Sequence, residues 1–357
     1  MKITAIEPRA IAEPGGRRYV VLKVSTDAGI FGYGEAPVDS DAQVTVDRLK
    51  RELAGEIGAN PDRTLLADIR LQRADASAGA RAALCMAMLD IAGKSAKAPI
   101  YEFLGGPTRN KARSMAVIAP GSADQMQSAV LAAKAVGHRA FSIPLEMSEV
   151  RGRAFYVDIR SMMDSLRAAA GSNCDFVLDC AGKTTTSEAT SIADRMEDFH
   201  LLWLDEPTAD INAEAQASIS KRSVTPIGFG RNFEENSRFQ DILREDGIDV
   251  LRPGLTTTTV TNIRKAAALA ETYYIAICPY HRGGPIAAAA GTHISACLPN
   301  SFIQETPFST NAADQRMRQR ISGWDEKPVE GFFPLLEGPG LGLRVNDAAL
   351  AEFTIAS

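Results

Sequence analysis

The feature that most narrows the fold is a repeat running through the last two thirds of the chain. Eight short apolar stretches, "SMAVIA", "AFSIPLE", "DFVLDCAG", "LLWLDEP", "TPIGFGRN", "DVLRPGL", "IAICPYH" and "SFIQETPF", alternate with segments of helical character. From the third stretch onward they end at Asp179, Glu206, Arg231, Gly254, Tyr280 and Glu305. That spacing of roughly 25 residues suits one strand and one helix per unit. Strands that read as near-continuous apolar runs are buried on both faces, as in parallel sheets covered by helices. Eight such units predict an α/β fold, a (β/α)8 TIM barrel. Barrels of this kind keep their sites at the carboxyl ends of the strands, and here those ends are repeatedly polar.

The first third has a different rhythm. "YVVLKVSTDAGIFGYGEA" reads as two strands joined at Asp27-Ala28-Gly29, a hairpin signal. Leu84, Met88 and Ile91 fall on one helical face, and Gly105-Gly106-Pro107 stops the helix after it. The expected organisation is an N-terminal α+β domain over 1–111, a barrel over 112–325 and a segment over 326–357 that folds back onto the first domain.

At 357 residues and 45% hydrophobic content, the chain can bury a large core. A net charge of −5 with no basic stripe argues against nucleic acid as a partner. No run approaches the roughly 18 apolar residues needed to span a bilayer, and the first residues lack a cleavable leader pattern. A soluble, cytoplasmic protein without a membrane partner is expected. The five cysteines, Cys85, Cys174, Cys180, Cys278 and Cys297, show no metal-binding spacing and read as reduced, buried thiols.

Several segments together carry a resemblance: "DAGIFGYGEA", "ARAALCMAMLDIAGKSAKAPIYEFLGG", "LDCAG", "LLWLDEP", "PIGFGRN", "DVLRPGL" and "PYHRGGPIAAAAGTHISACLPN". The chain resembles the mandelate racemase/muconate-lactonizing branch of the enolase superfamily over nearly its whole length. The resemblance implies a modified barrel under an N-terminal capping domain, with homo-oligomers common. It also implies abstraction of the proton α to a carboxylate, with Mg²⁺ held by three strand-end carboxylates. A Lys-x-Lys pair and a His–Asp dyad supply the family's bases. An α-proton is too weak an acid to leave without strong charge stabilisation of the oxyanion.

Against that pattern the sequence keeps two metal positions, Asp179 and Glu206, and places Arg231 at the third. A guanidinium is always charged. At about 4 Å from a dication, with an effective dielectric near 20, the repulsion is on the order of 8 kcal/mol. Arg231 pointing inward therefore argues for no metal cofactor; Arg231 turned outward leaves Mg²⁺ on Asp179, Glu206 and waters. Ser142 and Pro144 stand where the lysines belong, Gly254 where the dyad's Asp belongs, and Tyr280 at the His position with His281 beside it. Glu305 matches a common family position.

The residue types point to fixed cations replacing a metal. Arg231 pairs well with carboxylates through its planar fork. Lys183, Arg252, Arg282, Ser142 and Asn232 are candidate substrate contacts, and Arg231, Tyr280, His281 and Glu305 candidate catalytic groups. Neighbours on a strand face opposite sides, so one of Tyr280 and His281 is expected inside. Histidine titrates near neutrality and is the better default base; tyrosine needs its pKa lowered by nearby cations. Alongside stands a plainer reading, in which Asp179, Glu206 and Arg231 form a structural ion-pair network. The capping loops Pro14–Arg18 and Pro37–Asp41, with Arg17, Arg18 and Asp39, suggest a polar substrate. "TTTTVT" at 256–261 reads as a helix cap or the lining of an anion site. The expected partner is a small anionic organic molecule. An isomerase or lyase acting on a hydroxy or sugar acid is one reading; a non-catalytic anion-binding or assembly protein is the other.

Overall fold

The computed structural model describes residues 1–147, 152–209, 212–233 and 236–357. The chain opens with three antiparallel strands, β1 (Ile3–Ala12), β2 (Arg18–Thr26) and β3 (Phe31–Pro37). The β2–β3 turn falls at Asp27–Gly29, where Gly29 adopts a φ of 72° that a side chain would resist. Helices α1 (Ala42–Leu53), α2 (Thr64–Arg73), α3 (Ala78–Ala96) and α4 (Ile100–Phe103) follow. Asp41 and Ser77 accept N–H bonds at the starts of α1 and α3, supplying the acceptors that the first helical turn lacks. Gly32 and Gly34 let α3 lie directly on β3: a Cβ at either would come within 2.1 Å of Ala87 O or 1.9 Å of Ala83 O.

The barrel strands are β4 (Lys111–Val117), β5 (Ala140–Pro144), β6 (Asp175–Asp179), β7 (Trp203–Asp205), β8 (Ile227–Phe229), β9 (Val250–Leu251), β10 (Ala276–Ile277) and β11 (Gln304–Pro307). They correspond one for one to the eight apolar stretches. All pair in parallel, in the order β10-β9-β8-β7-β6-β5-β4-β11. A single parallel bridge between Ile277 and Ser301 joins the two ends of that sheet. The connecting helices are α5 (Ala123–Ala135), α6 (Arg153–Ala170), α7 (Thr186–Arg195), α8 (Ala213–Ser220), α9 (Asn236–Arg244), α10 (Val260–Glu271) and α11 (Pro285–Cys297). Reciprocal capping boxes start α5 (Ser122 with Gln125) and α7 (Thr185 with Glu188). Every residue of α11 is buried, in keeping with a sequence that is apolar but for Thr292, His293 and Ser295.

Met115, Ala140, Val177, Trp203, Val250, Cys278 and Ile303 fill the lower barrel as one apolar cluster. It is the floor on which the polar site stands. After α12 (Ala312–Ser322), strand β12 (Phe332–Pro334) pairs antiparallel with β4 of the barrel. Beyond helix α13 (Asp347–Glu352), strand β13 (Thr354–Ala356) pairs antiparallel with β1. The last segment thus touches both layers. All five cysteines are free and buried. Among the described residues no helix is long and apolar enough to cross a membrane.

Candidate active site

Three successive barrel strands leave the sheet through backbone of positive φ: Ala181 (50°) after β6, Glu206 (44°) after β7 and Gly230 (122°) after β8. For Ala181 and Glu206 this is a conformation that a side chain disfavours. Its effect at β7 is plain. Asp205 points into the barrel from the strand, and the turn at Glu206 brings the next side chain to the same opening. The D-E pair of "LLWLDEP" therefore contributes both carboxylates.

Asp205 is the site's lowest charge and is completely buried. Its Oδ1 accepts from Trp203 Nε1 at 2.8 Å and from Arg252 Nε at 3.0 Å. Its Oδ2 accepts from Arg252 Nη2 at 3.2 Å and also from Arg231. Sequence reading missed Asp205. The signal was present, since Trp203 and Asp205 alternate onto one face.

Arg252, expected among substrate contacts, is instead fully enclosed. Nη2 bonds Glu305 as well as Asp205, and Nη1 donates to Cys278 O at 2.9 Å and Cys278 Sγ at 2.7 Å. Arg252 follows directly on the two-residue strand β9, and its side chain turns inward to buried partners that leave no part of it exposed. Although its burial opposes the charge, Asp205 and Glu305 hold the guanidinium well above its ordinary pKa.

Arg231 points inward. Its Nη2 lies 2.9 Å from Asp179 Oδ1 and pairs with Asp205. Burial works against this charge too, and the two carboxylates outweigh it, raising its pKa. Asp179 Oδ1 also accepts from Ala181 N at 2.9 Å, and its Oδ2 from Arg282 Nη2 at 2.8 Å. Arg282 Nε lies 3.3 Å from Glu305 Oε1, and a third of this side chain remains exposed. Glu206 Oε1 accepts from Gly230 N at 2.7 Å and Arg231 N at 2.9 Å. Burial and the neighbouring Asp205 charge push Glu206 up to about 7, whereas Arg231 and Arg252 overcome burial to hold Asp205 below its ordinary range. Three guanidinium groups thus interleave with the carboxylates of Asp179, Asp205 and Glu305.

Tyr280, not His281, faces this cluster. Its ring centroid lies 4.6 Å from the Arg231 guanidinium carbon, 5.5 Å from that of Arg282 and 5.9 Å from that of Arg252. The cations do not lower its pKa below the ordinary value, contrary to expectation: burial outweighs them and raises it. His281 turns the other way and is buried against the capping domain. Burial, with the positive charges of Arg318 and Arg17, holds its pKa well below the usual imidazole range. A cavity of about 300 Å³ opens above the cluster, lined by Glu206, Phe229, Arg231, Asn232, Phe233 and Tyr280.

The remaining candidates disperse. Ser142 lies buried on β5, its hydroxyl without a hydrogen-bond partner among the described residues. Lys183 is exposed, with its backbone bridged to Thr208. The threonine run is a cap: Thr259 starts α10 and its hydroxyl donates to Asp68 of α2 at 3.0 Å. In the capping loops Arg17 pairs with Glu13 at 2.8 Å and Asp39 with Arg48 at 2.7 Å. A second cavity of about 620 Å³ lies between the Gly15–Arg17 loop and the ends of β4 and β11.

A family model described as "Enolase C-terminal domain-like" matches residues 125–349. The model for the mandelate racemase/muconate lactonizing enzyme N-terminal domain matches residues 6–105. The chain belongs to the mandelate racemase/muconate lactonizing enzyme family. This enolase-superfamily member is 28% identical to D-galactonate dehydratase of Pectobacterium atrosepticum, covering 99% of this chain and 94% of that one. It also superposes on a mandelate racemase/muconate lactonizing enzyme from Sulfitobacter sp. with a TM-score of 0.89 at 24% identity, covering 100% and 96% of the two chains. A mandelate racemase/muconate lactonizing enzyme-like protein from Rubrobacter xylanophilus gives 0.89 at 22%, covering 99% and 97%. At those identities the structural likeness is one of fold. Family members usually work with Mg²⁺, which makes the seating of Arg231 between Asp179 and Asp205 the point on which this member's chemistry turns.

Proposed function

We propose that the protein is a lyase or isomerase acting on a small hydroxy- or sugar-acid anion, with guanidinium groups in place of the family's metal. The observation that carries this reading is the inward guanidinium of Arg231, bonded to Asp179 and stacked on Tyr280 under an open cavity. Mg²⁺ does not fit this donor set. Both oxygens of Asp179 are committed to Arg231 and Arg282, and Glu206 Oε1 is committed to two backbone N–H groups. A dication would have to displace two fixed cations from the carboxylate it needs.

Arg282, the most accessible of the three guanidiniums, would take the substrate carboxylate, with Asn232 at the cavity rim. The α-proton would pass to Glu206, the carboxylate that lines the cavity and is pushed up to about 7, while charge developing on the substrate carboxylate would be stabilised by donors already in place, the term that matters most in such reactions. Tyr280, protonated at neutral pH, suits delivery of a proton better than removal of one. Similarity to a D-galactonate dehydratase makes sugar acids the first substrates to test.

A second reading has its own support. The three guanidiniums and the carboxylates of Asp179, Asp205 and Glu305 balance in charge, as they would in a structural network that binds an anion without converting it.

Two measurements separate these. The melting temperature is expected to be indifferent to Mg²⁺ and to EDTA. A Mg²⁺ site occupied at ~100 times its Kd would add about 2.7 kcal/mol, and a rise of that order overturns the metal-free reading. A panel of sugar acids led by D-galactonate is then screened for keto-acid release and for epimerisation. Turnover of any member supports the enzyme. Tight binding without turnover across the panel supports the binding protein.

A further inference from the structure

Glu35, near the end of β3, belongs to the capping domain but its bonds go to the barrel. It is fully buried. Oε1 accepts from Gly284 N at 2.6 Å and Oε2 from Ala287 N at 3.1 Å, at the first turn of α11. The residue preceding α11 is a glycine with no side-chain cap, so Glu35, 249 positions away in sequence, supplies the acceptors that the helix start lacks. The fit is close on both sides. A Cβ on Gly283 would come within 2.0 Å of Glu35 Oε1, and one on Gly284 within 2.4 Å of the Tyr19 ring. The turn gripped here follows Tyr280 and contains Arg282, the two side chains on which the proposed site depends. Tyr280 is itself tied to its neighbour strand, its N–H donating to Pro253 O at 2.8 Å and its carbonyl accepting from Leu255 N at 2.9 Å. Arg282 reaches Asp179.

We propose that Glu35 is a positioning residue: it couples the capping domain to the barrel by holding the 281–284 turn, and through that turn it sets Tyr280 and Arg282. That those two residues form an anion site rests on the proposed function; the coupling itself does not.

The contact should also respond to pH. Around Glu35 stand Glu13 beyond β1, Arg17 and Tyr19 at the start of β2, His281 in the turn, Arg318 on α12 and Glu326 beyond it. Burial pushes Glu35 from an ordinary 4.5 up to about 7, against the opposing pull of its two N–H bonds and of Arg318. A carboxyl that titrates higher when enclosed favours the closed, protonated form. The contribution to closure is full below about 4.5 and declines as pH rises to about 7. The equilibrium for opening the turn should rise roughly 10²-fold across that window and then level off.

Amide hydrogen exchange on the intact protein tests this without any ligand, so its failure is separate from failure of the proposed function. After correction for intrinsic exchange, the amides of Gly284 and Ala287 in the unaltered protein should lose protection by roughly 40-fold between pH 5 and 7. The Tyr280 and Leu255 amides should lose protection in the same window, while amides in β6 do not. Glu35→Gln should flatten the dependence, and Glu35→Ala should lower protection of Tyr280 and Leu255 at every pH. If Glu35→Ala does not fold, Glu35→Asp, which shortens the reach to Gly284 N and Ala287 N by one methylene, is read in its place, with the same loss of protection at Tyr280 and Leu255 expected. Protection at Tyr280 and Leu255 that ignores pH while Gly284 and Ala287 respond makes Glu35 a local helix cap and overturns the coupling. Unchanged protection of Tyr280 and Leu255 in Glu35→Ala overturns it as well.

Discussion

Arg252→Ala is expected to remove about 3–5 kcal/mol of folding stability, measured by urea or thermal unfolding. The reason is what the guanidinium leaves behind. Asp205 and Glu305 are both wholly buried, and Arg252 bonds both. Removing it strands negative charge in a medium of low dielectric, above an apolar floor that includes Trp203. Arg252→Lys should recover little. One ammonium cannot meet Asp205, Glu305 and Cys278 O together as the planar fork does. Arg282→Ala is the control: with a third of its side chain exposed and Arg231 still beside Asp179, it should cost about 0–1 kcal/mol. Equal losses for Arg252→Ala and Arg282→Ala would show that burial is not what separates them.

Tyr280→Phe should lower kcat on the substrate found by screening by about 10²–10⁴-fold, the usual worth of a positioned proton-transfer group. The ring and its contacts with Arg231 and Arg282 survive the change, so stability and KM should move little. His281→Ala should do the opposite, leaving proton transfer intact and weakening the contact with the capping domain. An unchanged kcat in Tyr280→Phe removes the phenol from the chemistry. A loss confined to His281→Ala would mean that the ring buried against the capping domain reaches the substrate after all.

The barrel was legible because its signal is additive. Each parallel strand is apolar on both faces, and eight of them at one period leave few other folds. The same period placed Asp179, Arg231, Tyr280 and Glu305 at strand ends, and these four do meet in space. What alternation could not give was Asp205 together with Glu206. It allows one of two adjacent residues inside, and the left-handed backbone at Glu206 lifts that restriction. Arg252 differs for another reason: its side chain turns inward to Asp205 and Glu305 instead of outward to the rim, and a linear pattern does not record that choice. Tyr280 resisted in another way. Whether three cations or burial sets its pKa is a contest of distances that no linear pattern records. Glu35 carried no local sign at all of its partner 249 residues on.

The pairing of β13 with β1 has a consequence for how the molecule is made. Without β13, strand β1 is an edge of the capping sheet, with unpaired N–H and C=O groups along it. Residues 354–356, which pair with β1, leave the ribosome about 340 residues after residues 3–12. At about 5–20 residues per second, that edge stays open for roughly 20–70 s while the whole barrel is synthesised and folds. Deleting residues 354–356 should leave the barrel intact and make the edge permanent, read as aggregation that begins in the capping sheet; a deletion that stays monodisperse would show that β1 needs no guard. In the cell, β1 waits for the whole barrel to be made before its edge is covered.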